Sequence, residues 1–245
     1  LDNPFTDKTW TKGMTEEEYR LRVEGSFENP TWLVYSSFFR TRNVVPHFDP
    51  YLLARDRNDI KFYRGIDFGV SHPTACVWLA QDLDDNIYIF DEMKESNMLL
   101  SSIVESINTK SLGYQFEYTV RDSASSREGK EVANLGLRTV PADKLMKVND
   151  MSNRRSWILL INDLFNKGKL LISNRCTQLI RELETHYYKD WGKKDGEVNK
   201  EGDDLLDALR YVIFLIKKNN SINRKSILER EVEARYNEKY WLKLL

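Results

Sequence analysis

Short apolar runs separated by polar turns open the central part of the chain. Their length and their aromatic and β-branched content predict strands over Phe62–Gly69, Ala75–Ala80 and Ile87–Phe90. The polar segments between them have hairpin length, so the three strands are predicted to form an antiparallel meander. The first strand carries a single acid, Asp67, near its exit. An aspartate close to a glycine is also typical of a turn, so Asp67 alone does not indicate a site.

Beyond residue 98 the apolar positions take the spacing of a buried helix face and then alternate with further strands. The predicted elements are a helix over Leu99–Ile107, a strand over Phe116–Val120, a helix over Ser126–Leu135 and a strand over Leu137–Val140. Two strands joined through a helix pair in parallel. This part of the chain is therefore predicted to add parallel strands to the meander.

Amphipathic helices dominate the next part of the chain. The predicted elements are a helix over Asn153–Asn166, a strand over Leu170–Ile172, a helix over Cys176–Tyr187, a polar hairpin over Tyr187–Asn199 and a helix over Asp203–Lys217. Antiparallel strands followed by parallel crossovers form a mixed sheet with helices on both faces. The predicted fold class is α/β, a ribonuclease-H-like (retroviral-integrase-like) mixed sheet with a projecting β-hairpin.

The two ends of the chain differ from its centre. Residues 1–60 hold four prolines, extended pieces such as Thr31–Phe39, and one short helix that starts with the capping box Thr15–Glu18. Residues 219–245 are highly charged, with a helical pattern and an apolar end. We therefore predict a connecting segment over 1–60, one domain over 61–218 and a helical tail over 219–245.

Composition and charge narrow the function classes. The 245 residues are 41% hydrophobic, and 37 Lys and Arg nearly cancel 38 Asp and Glu, so nucleic-acid binding needs a local basic patch. The two cysteines, Cys76 and Cys176, suit core thiols in a reducing compartment better than a disulfide or metal site. Neither a signal peptide nor an apolar run of about 20 residues occurs, so we expect a soluble cytosolic protein without a membrane partner.

Several acids are placed where they can converge. Asp67 and Asp122 each follow an apolar strand, and Asp204 and Asp207 lie one helical turn apart. Carboxylates that share a pocket repel one another unless divalent cations neutralise them, and oxygen ligands suit Mg²⁺ or Mn²⁺. Two ions roughly 3.5–4 Å apart are suited to hydrolysing a phosphodiester. Each acid also has a structural interpretation: Asp67 as a turn former, Asp122 as a helix cap and Asp207 as a solvated helix residue. Asp203 and Asp204 could instead stabilise the helix dipole, and for Asp203 we favour this interpretation.

The order of these motifs along the chain resembles the nuclease domain of the terminase large subunit of tailed bacteriophages, the motor that packages and cuts viral DNA. The resemblance covers about residues 60–218, and residues 1–60 resemble the link from the motor domain to the nuclease. The matching motifs are Gly65-Ile-Asp67-Phe-Gly69, His72-Pro-Thr-Ala75, Asp122-Ser-Ala124, Lys144, Gly168-Lys-Leu170, Leu179-Ile-Arg-Glu-Leu183 and Asp204-Leu-Leu-Asp207-Ala-Leu-Arg-Tyr211.

The resemblance implies a two-metal endonuclease acting on duplex DNA in the host cell cytoplasm. Asp67, Asp122 and Asp207 would be the catalytic acids that bind two Mg²⁺ or Mn²⁺ ions. Asp204, where many relatives carry a histidine, would be either a further ligand or a base behind the ligands. The implied partners are the terminase ATPase domain, the small terminase subunit and the portal. No Gly-x-x-x-x-Gly-Lys-Ser/Thr motif occurs, so we expect no ATP site in this chain and a missing N-terminal ATPase domain.

A modest basic excess adjoins the second acid. Eight basic residues and five acids lie between Arg121 and Arg155, and the candidates for phosphate contacts are Lys144, Arg154, Arg155 and Arg127. A solvated mixed-charge surface is an equally good interpretation of any one of them. His72 could contact a metal or a phosphate, although a turn residue before Pro73 is the favoured interpretation.

Two other function classes stay open. An actin-like or sugar-kinase-like ATP-binding protein also begins with Gly-Ile-Asp-x-Gly on a strand, but a second Asp-x-Gly phosphate turn and a glycine-rich adenosine loop are lacking here. Nucleotide-dependent stabilisation without DNA cutting would favour it. A catalytically idle, nuclease-like docking module would bind DNA or protein without metal-dependent cutting.

Overall fold

The computed structural model describes residues 32–53, 56, 59–69, 72–142, 154–189 and 197–217. The predicted helix at Thr15, the candidate phosphate contact Lys144 and the tail over 219–245 lie outside these residues. Within them, the strands are β1 Val44–Val45, β2 Lys61–Asp67, β3 Thr74–Gln81, β4 Ile87–Glu95, β5 Phe116–Arg121, β6 Val140–Pro141 and β7 Leu170–Ser173. The helices are α1 Arg40–Asn43, α2 Leu100–Lys110, α3 Ser126–Asn134, α4 Arg154–Asn166, α5 Thr177–Thr185 and α6 over 204–217.

The seven strands form one mixed sheet in the order β1-β7-β4-β3-β2-β5-β6. Strands β2, β3 and β4 pair antiparallel, as the predicted meander requires. Strand β5 pairs in parallel with β2 and β6, while β7 pairs in parallel with β4 and β1. The predicted mixed α/β sheet is therefore confirmed, with β3 at its centre between β4 and β2.

Helices cover both faces of the sheet, so the central strand β3 is buried along its whole length and β2 is buried everywhere except at Lys61. On one face, apolar residues of α4, α5 and α6 pack against Tyr63, Val77, Leu79 and Ile89. On the other, α2 and α3 pack against the alternate residues of the same strands, among them Ile66 and Trp78. The first face carries the elements that form the site described below.

Strand β4 contains a bulge that reverses which side chains face which helices. Leu79 of β3 pairs with Ile89, whereas the preceding residue of β3, Trp78, pairs with Asp91. Phe90 is therefore an extra residue on β4. Before the bulge, Ile89 faces α4–α6; after it, the even-numbered residues face them. Glu92 and Lys94 therefore point toward the same helices as Ile89.

Three predicted boundaries differ from the structure. Strand β4 continues to Glu95 instead of ending at Phe90. The strand predicted over Leu137–Val140 is reduced to β6, because Leu137 is buried in the core between the sheet, α2 and α3. Residues 33–45 are packed against the domain, since Tyr35 and Phe38 are buried there and β1 pairs with β7. The packed body thus extends N-terminal to residue 61.

Two smaller predictions are also met in the described residues. Tyr188 pairs antiparallel with Val198, which forms the base of the predicted hairpin, while residues 190–196 lie outside the described part. Cys76 and Cys176 are free, buried thiols. Among the described helices, none is long and apolar enough to cross a membrane.

Candidate metal centre

The candidate site lies at the carboxyl end of β2. Asp67 is the last residue of β2, and Asp122 directly follows β5. The two strands are parallel neighbours, and their last registered pair is Ile66 opposite Arg121. Both acids therefore leave the sheet at the same end and side by side, as predicted from the order of the strands.

Helix α6 brings two further acids to this end of β2 because the two backbones approach closely at Gly65. A Cβ atom at Gly65 would lie 2.1 Å from the carbonyl oxygen of Ala208, so only glycine fits there. Asp204 and Asp207 lie in the first turn of α6, three residues apart, and both line the same cleft as Asp67.

The cleft has a volume of about 550 Å³. Five carboxylate residues and two lysines line it together with His72, so its charge is strongly negative. The lining residues are Asp67, His72, Pro73, Lys94, Lys200, Glu201, Gly202, Asp203, Asp204 and Asp207. Of the four predicted metal ligands, Asp122 alone is not part of this lining.

Three of the lining residues form a compact set of donor atoms, which we call the acid cluster: Asp67, His72 and Asp204. One ligand atom from each lies within 4.8 Å of the other two. Asp67 is 9% exposed and the Asp204 side chain 11%, whereas the His72 side chain is 48% exposed. The cluster thus has a buried floor and an accessible rim.

The electrostatic environment of Asp67 disfavours its ionised form. The pKa of Asp67 is raised to about 6, mainly by burial and also by the negative charges of Asp204, Asp122 and Asp203, while His72 acts in the opposite direction. Within the described part of the chain, no hydrogen bond or ion pair to the Asp67 carboxylate is formed. A divalent cation would supply the missing positive charge.

Asp204 is already held by two side chains. His72 Nδ1 lies 3.0 Å from its Oδ1, and Lys94 Nζ lies 2.8 Å from its Oδ2. Lys94 also pairs with Glu182 at 2.6 Å. Burial alone would lower the pKa of Lys94, but its hydrogen bonds to Asp204 and Glu182 outweigh burial and raise it. Burial raises the pKa of Glu182 to about 7 in spite of the Lys94 ion pair.

Asp207 has a different partner. Arg210, one turn further along α6, pairs with its Oδ1 through Nη2, and the Arg210 side chain is only 7% exposed. The Arg210 Nη1 atom is buried and makes no hydrogen bond to any described residue. The Asp207 side chain is 21% exposed, so it reaches the cleft while Arg210 fixes it from below.

Asp122 sits at the start of a turn. Its Oδ1 accepts the backbone N–H of Ala124 at 3.3 Å, and its carbonyl oxygen accepts Nη1 of Arg121 at 2.7 Å. The structural role that the sequence allowed for this acid is thus present. Its carboxylate still lies close enough to Asp67 to raise the pKa of that residue.

Of the predicted DNA contacts, Arg127 and Arg155 have described side chains. Arg127 is 85% exposed at the start of α3 and pairs with Glu131 at 2.9 Å. Arg155 is exposed at the start of α4, where its charge partly offsets the effect of burial, which raises the pKa of Tyr188. The side chain of Arg154, like the whole of Lys144, lies outside the description.

Sequence reasoning missed three residues of the cleft region: Lys94, Lys200 and Glu182. Lys94 lies beyond the apolar run from which β4 was predicted. Lys200 directly follows the predicted hairpin, in which acids offset the basic residues, so local charge does not single it out. Glu182 carried a usable signal, since it lies on the apolar face of α5 beside Leu179 and Leu183, where an acid needs a buried partner.

The donor set fits a hard divalent cation. The carboxylate oxygens of the acid cluster suit Mg²⁺ or Mn²⁺, and a buried carboxylate whose pKa is raised by burial and by neighbouring acids lacks a counter-charge. Asp67 and Asp204 could hold such an ion, with Asp207 and Asp122 close by. Lys94 neutralises part of the charge on Asp204, which leaves Asp67 as the central candidate ligand.

Comparison with known proteins places the fold. The profile of a family described as Terminase RNaseH-like domain matches residues 64–215. No curated protein matches the chain. The large terminase of a thermophilic bacteriophage is similar with a TM-score of 0.60 and 17% identity, over 73% of this chain and 44% of that one. The chain thus spans less than half the length of that protein.

Two solved nuclease domains are similar over nearly their whole length. The large terminase nuclease domain of bacteriophage SPP1 with bound Mn has a TM-score of 0.51 and 18% identity, over 69% of this chain and 92% of that one. The large terminase nuclease of the thermophilic phage G20c with bound magnesium has a TM-score of 0.51 and 20% identity, over 76% and 96%. The predicted ribonuclease-H-like fold is confirmed.

Proposed function

The chain belongs to the family of terminase RNaseH-like domains, and on that premise we propose that it is a metal-dependent endonuclease that hydrolyses duplex viral DNA during genome packaging. The observation that carries the proposal is Asp67, a buried carboxylate at the end of β2, surrounded by other acids, whose pKa is raised to about 6. Such a group is stabilised by a cation, and a phosphodiester brings further negative charge that cations would also neutralise.

The four acids are the proposed cation ligands. Asp67, Asp122 and Asp207 are the catalytic ligands of two Mg²⁺ or Mn²⁺ ions, and Asp204 supplies a further oxygen. When bound, such ions lower the pKa of a water nucleophile and neutralise the leaving oxygen. Arg210 keeps Asp207 oriented toward the cleft, while Lys94 and His72 hold Asp204. The Mn-bound and magnesium-bound relatives support this choice of ions.

DNA is proposed to enter over the exposed rim of the cleft. Lys200 and His72 lie at this rim and are able to contact phosphates. Because the net charge of the whole chain is −1, the affinity of the isolated protein for DNA should be low. Since the proposed contacts are made to phosphates, that affinity should fall as salt is added. In the cell, the terminase ATPase domain, small subunit and portal are the proposed partners that hold DNA at the site in the host cytoplasm.

A plasmid assay tests the function. With Mg²⁺ or Mn²⁺ the protein should nick and linearise supercoiled DNA, and Asp67→Asn, Asp122→Asn and Asp207→Asn should each lower the rate by about 1,000-fold or more. Asp163→Asn is the matched control, because Asp163 is an exposed acid on α4 paired with Lys167. Circular dichroism checks that each variant is folded.

The same assay separates the rival classes. Full cutting by a folded Asp67→Asn protein would refute the site assignment. DNA binding without cutting in either metal would support the idle docking module. Thermal stabilisation by ATP without cutting would support the actin-like interpretation, against which the family of the chain already argues.

A further inference from the structure

Glu182 is a buried acid outside the proposed ligand set. It lies on α5, is 7% exposed, and shares a helix face with the fully buried Leu179 and Leu183. An ionised carboxylate in such surroundings is destabilising unless hydrogen bonds and a counter-charge compensate for its lost hydration. The contacts of Glu182 show what it stabilises.

Both oxygens of Glu182 are engaged, and one of them caps α6. Oε2 accepts the backbone N–H groups of Leu205 and Leu206, each at 3.1 Å. These are among the first N–H groups of a helix, which lack partners within the helix itself. A carboxylate from a neighbouring helix thus caps α6 in place of a local cap residue. The two N–H groups that it binds lie between Asp204 and Asp207 in the sequence.

The second oxygen joins the cap to the sheet. Oε1 accepts Nζ of Lys94 at 2.6 Å, and the same Nζ lies 2.8 Å from Asp204. Lys94 reaches this position because the bulge at Phe90 turns the even-numbered residues of β4 toward α5 and α6. Glu182 therefore contacts α6 directly and β4 through Lys94.

An equivalent cap fixes α5 itself. Glu92, on β4, accepts the N–H groups of Gln178 and Leu179 at 2.8 Å each. Glu92 on the strand holds the start of α5, and Glu182 on α5 holds the start of α6. The position of the acid-bearing turn of α6 relative to the sheet is thus set by two buried glutamates in series.

We propose that Glu182 is a positioning residue for the cation site: by capping α6 it fixes the turn that carries Asp204 and Asp207 relative to Asp67. The inference rests on the proposed function, since it assumes that these acids bind cations. Glu182 itself touches neither the cation nor DNA. Its loss should weaken cation binding, because residues that orient metal ligands typically contribute about 10–100-fold to metal affinity.

The test compares two substitutions that separate the cap from the charge. Glu182→Gln keeps an acceptor oxygen for Leu205 and Leu206, whereas Glu182→Met keeps the size but removes every acceptor. Calorimetric titration with Mn²⁺ alone should show affinity about 10-fold weaker or more for Glu182→Met and mostly retained in Glu182→Gln. The control Glu184→Met, two residues along α5, removes an exposed ion pair with Arg40 and should bind Mn²⁺ like the wild type.

Cutting provides a second readout. In Glu182→Met, saturating Mn²⁺ should restore most of the cutting rate, because the ligands remain and their positioning alone is weakened. Equal losses in Glu182→Gln and Glu182→Met would assign the effect to charge and overturn the capping role. Unchanged Mn²⁺ affinity in a folded Glu182→Met protein would overturn the inference as a whole.

A measurement on the wild type covers the case in which Glu182→Met does not fold. If the capped first turn of α6 positions the cation ligands, cation binding should in turn stabilise that turn. Mg²⁺ should therefore slow amide hydrogen exchange at Leu205 and Leu206. Exchange that is indifferent to Mg²⁺ would overturn the inference. If the wild type binds Mn²⁺ but does not cut DNA, the proposed function is refuted, while the comparison of Mn²⁺ affinities still tests the role of Glu182. If the wild type binds no cation, the proposed function and the role of Glu182 are both overturned.

Discussion

Two buried polar clusters lie on opposite faces of the same strand, and they are built in different ways. On the α2 face, Arg64 donates from Nε to Thr119 at 3.0 Å and from Nη1 to Ser111 at 2.8 Å, and its guanidinium lies 4.2 Å from the Phe116 ring centroid. We call these four residues the Arg64 cluster. On the α6 face, three residues along, Asp67 lies among acids in the acid cluster.

The difference between them lies in how charge is compensated. Burial lowers the pKa of Arg64 from its usual value, but its donors meet hydroxyl and aromatic partners that complete the cluster. The acid cluster instead keeps surplus negative charge at the wall of an open cleft. A buried charge with neutral partners serves the fold, whereas a surplus of like charge beside solvent is prepared for a ligand.

The largest expected effect comes from breaking the ion pair behind the cleft. Arg210→Met should lower the free energy of unfolding by about 3 kcal/mol, because a partly buried Asp207 loses its partner. DNA cutting at fixed Mn²⁺ should fall by about 100-fold, since Asp207, a proposed cation ligand, also loses its orientation. Urea denaturation and plasmid cutting measure both, with the exposed Arg181→Met on α5 as control. Normal cutting by a destabilised Arg210→Met protein would contradict the prediction.

The matching change in the Arg64 cluster should affect stability alone. Arg64→Met should cost about 2 kcal/mol of unfolding free energy, because buried hydrogen bonds to Thr119 and Ser111 are lost. Mn²⁺ affinity of the folded variant should equal that of the wild type. A variant with weakened Mn²⁺ binding and undiminished stability would show that the two faces are not independent.

The pH dependence of stability provides a smaller test. The pKa of Asp67 is about 6 in the folded, cation-free protein and is lower in the unfolded chain, so the folded state binds more protons between about pH 4 and pH 6. The stability that Asp67 contributes is present below about pH 4 and is lost as pH rises through about 6.

Comparison of the wild type with Asp67→Asn isolates this contribution from that of other acids. Between pH 4 and pH 8 the wild type should lose about 2 kcal/mol relative to Asp67→Asn in metal-free urea titrations. Asp163→Asn should follow the wild type. Parallel curves for wild type and Asp67→Asn would show that Asp67 is not held in an unfavourable environment.

The smallest effect is expected at an exposed ion pair. Lys110 on α2 pairs with Asp91 at 2.8 Å, and both side chains are about one-third exposed or more. Lys110→Gln should change the unfolding free energy by less than about 1 kcal/mol, and less at high salt. Mn²⁺ affinity should not change. A larger effect would indicate that this pair is coupled to the Arg64 cluster, because Lys110 lies over the ring of Trp78, whose Nε1 donates to Ser111.

Regular periodicity explains why so much of the fold could be predicted. The strands with continuous apolar runs, β2 and β3, have nearly the predicted bounds because both of their faces are buried. The convergence of Asp67 and Asp122 followed from the rule that parallel neighbours end on the same side. The placement of Asp204 and Asp207 in one cleft followed from helical spacing.

The remainder depended on contacts that no local pattern contains. The residues of β4 after Phe90 are mostly polar, so no apolar pattern indicates that the strand continues there. The bulge at Phe90 also changes the face of the sheet on which Glu92 and Lys94 lie. The segment around Tyr35 contributes to the core although its prolines and turns indicate a connection. The assignment of the acids as catalytic ligands stays a prediction until cutting and metal binding are measured.

The position of α6 along the chain has a consequence for the timing of synthesis. Asp67 is made early in the domain, whereas Asp204 and Asp207 belong to the last described helix, more than half the chain length later. A growing chain on the ribosome therefore carries β2 without the turn that completes its acidic end. Under the proposed function, the ability to cut DNA arises only when nearly the whole domain has emerged and α6 has packed on Gly65.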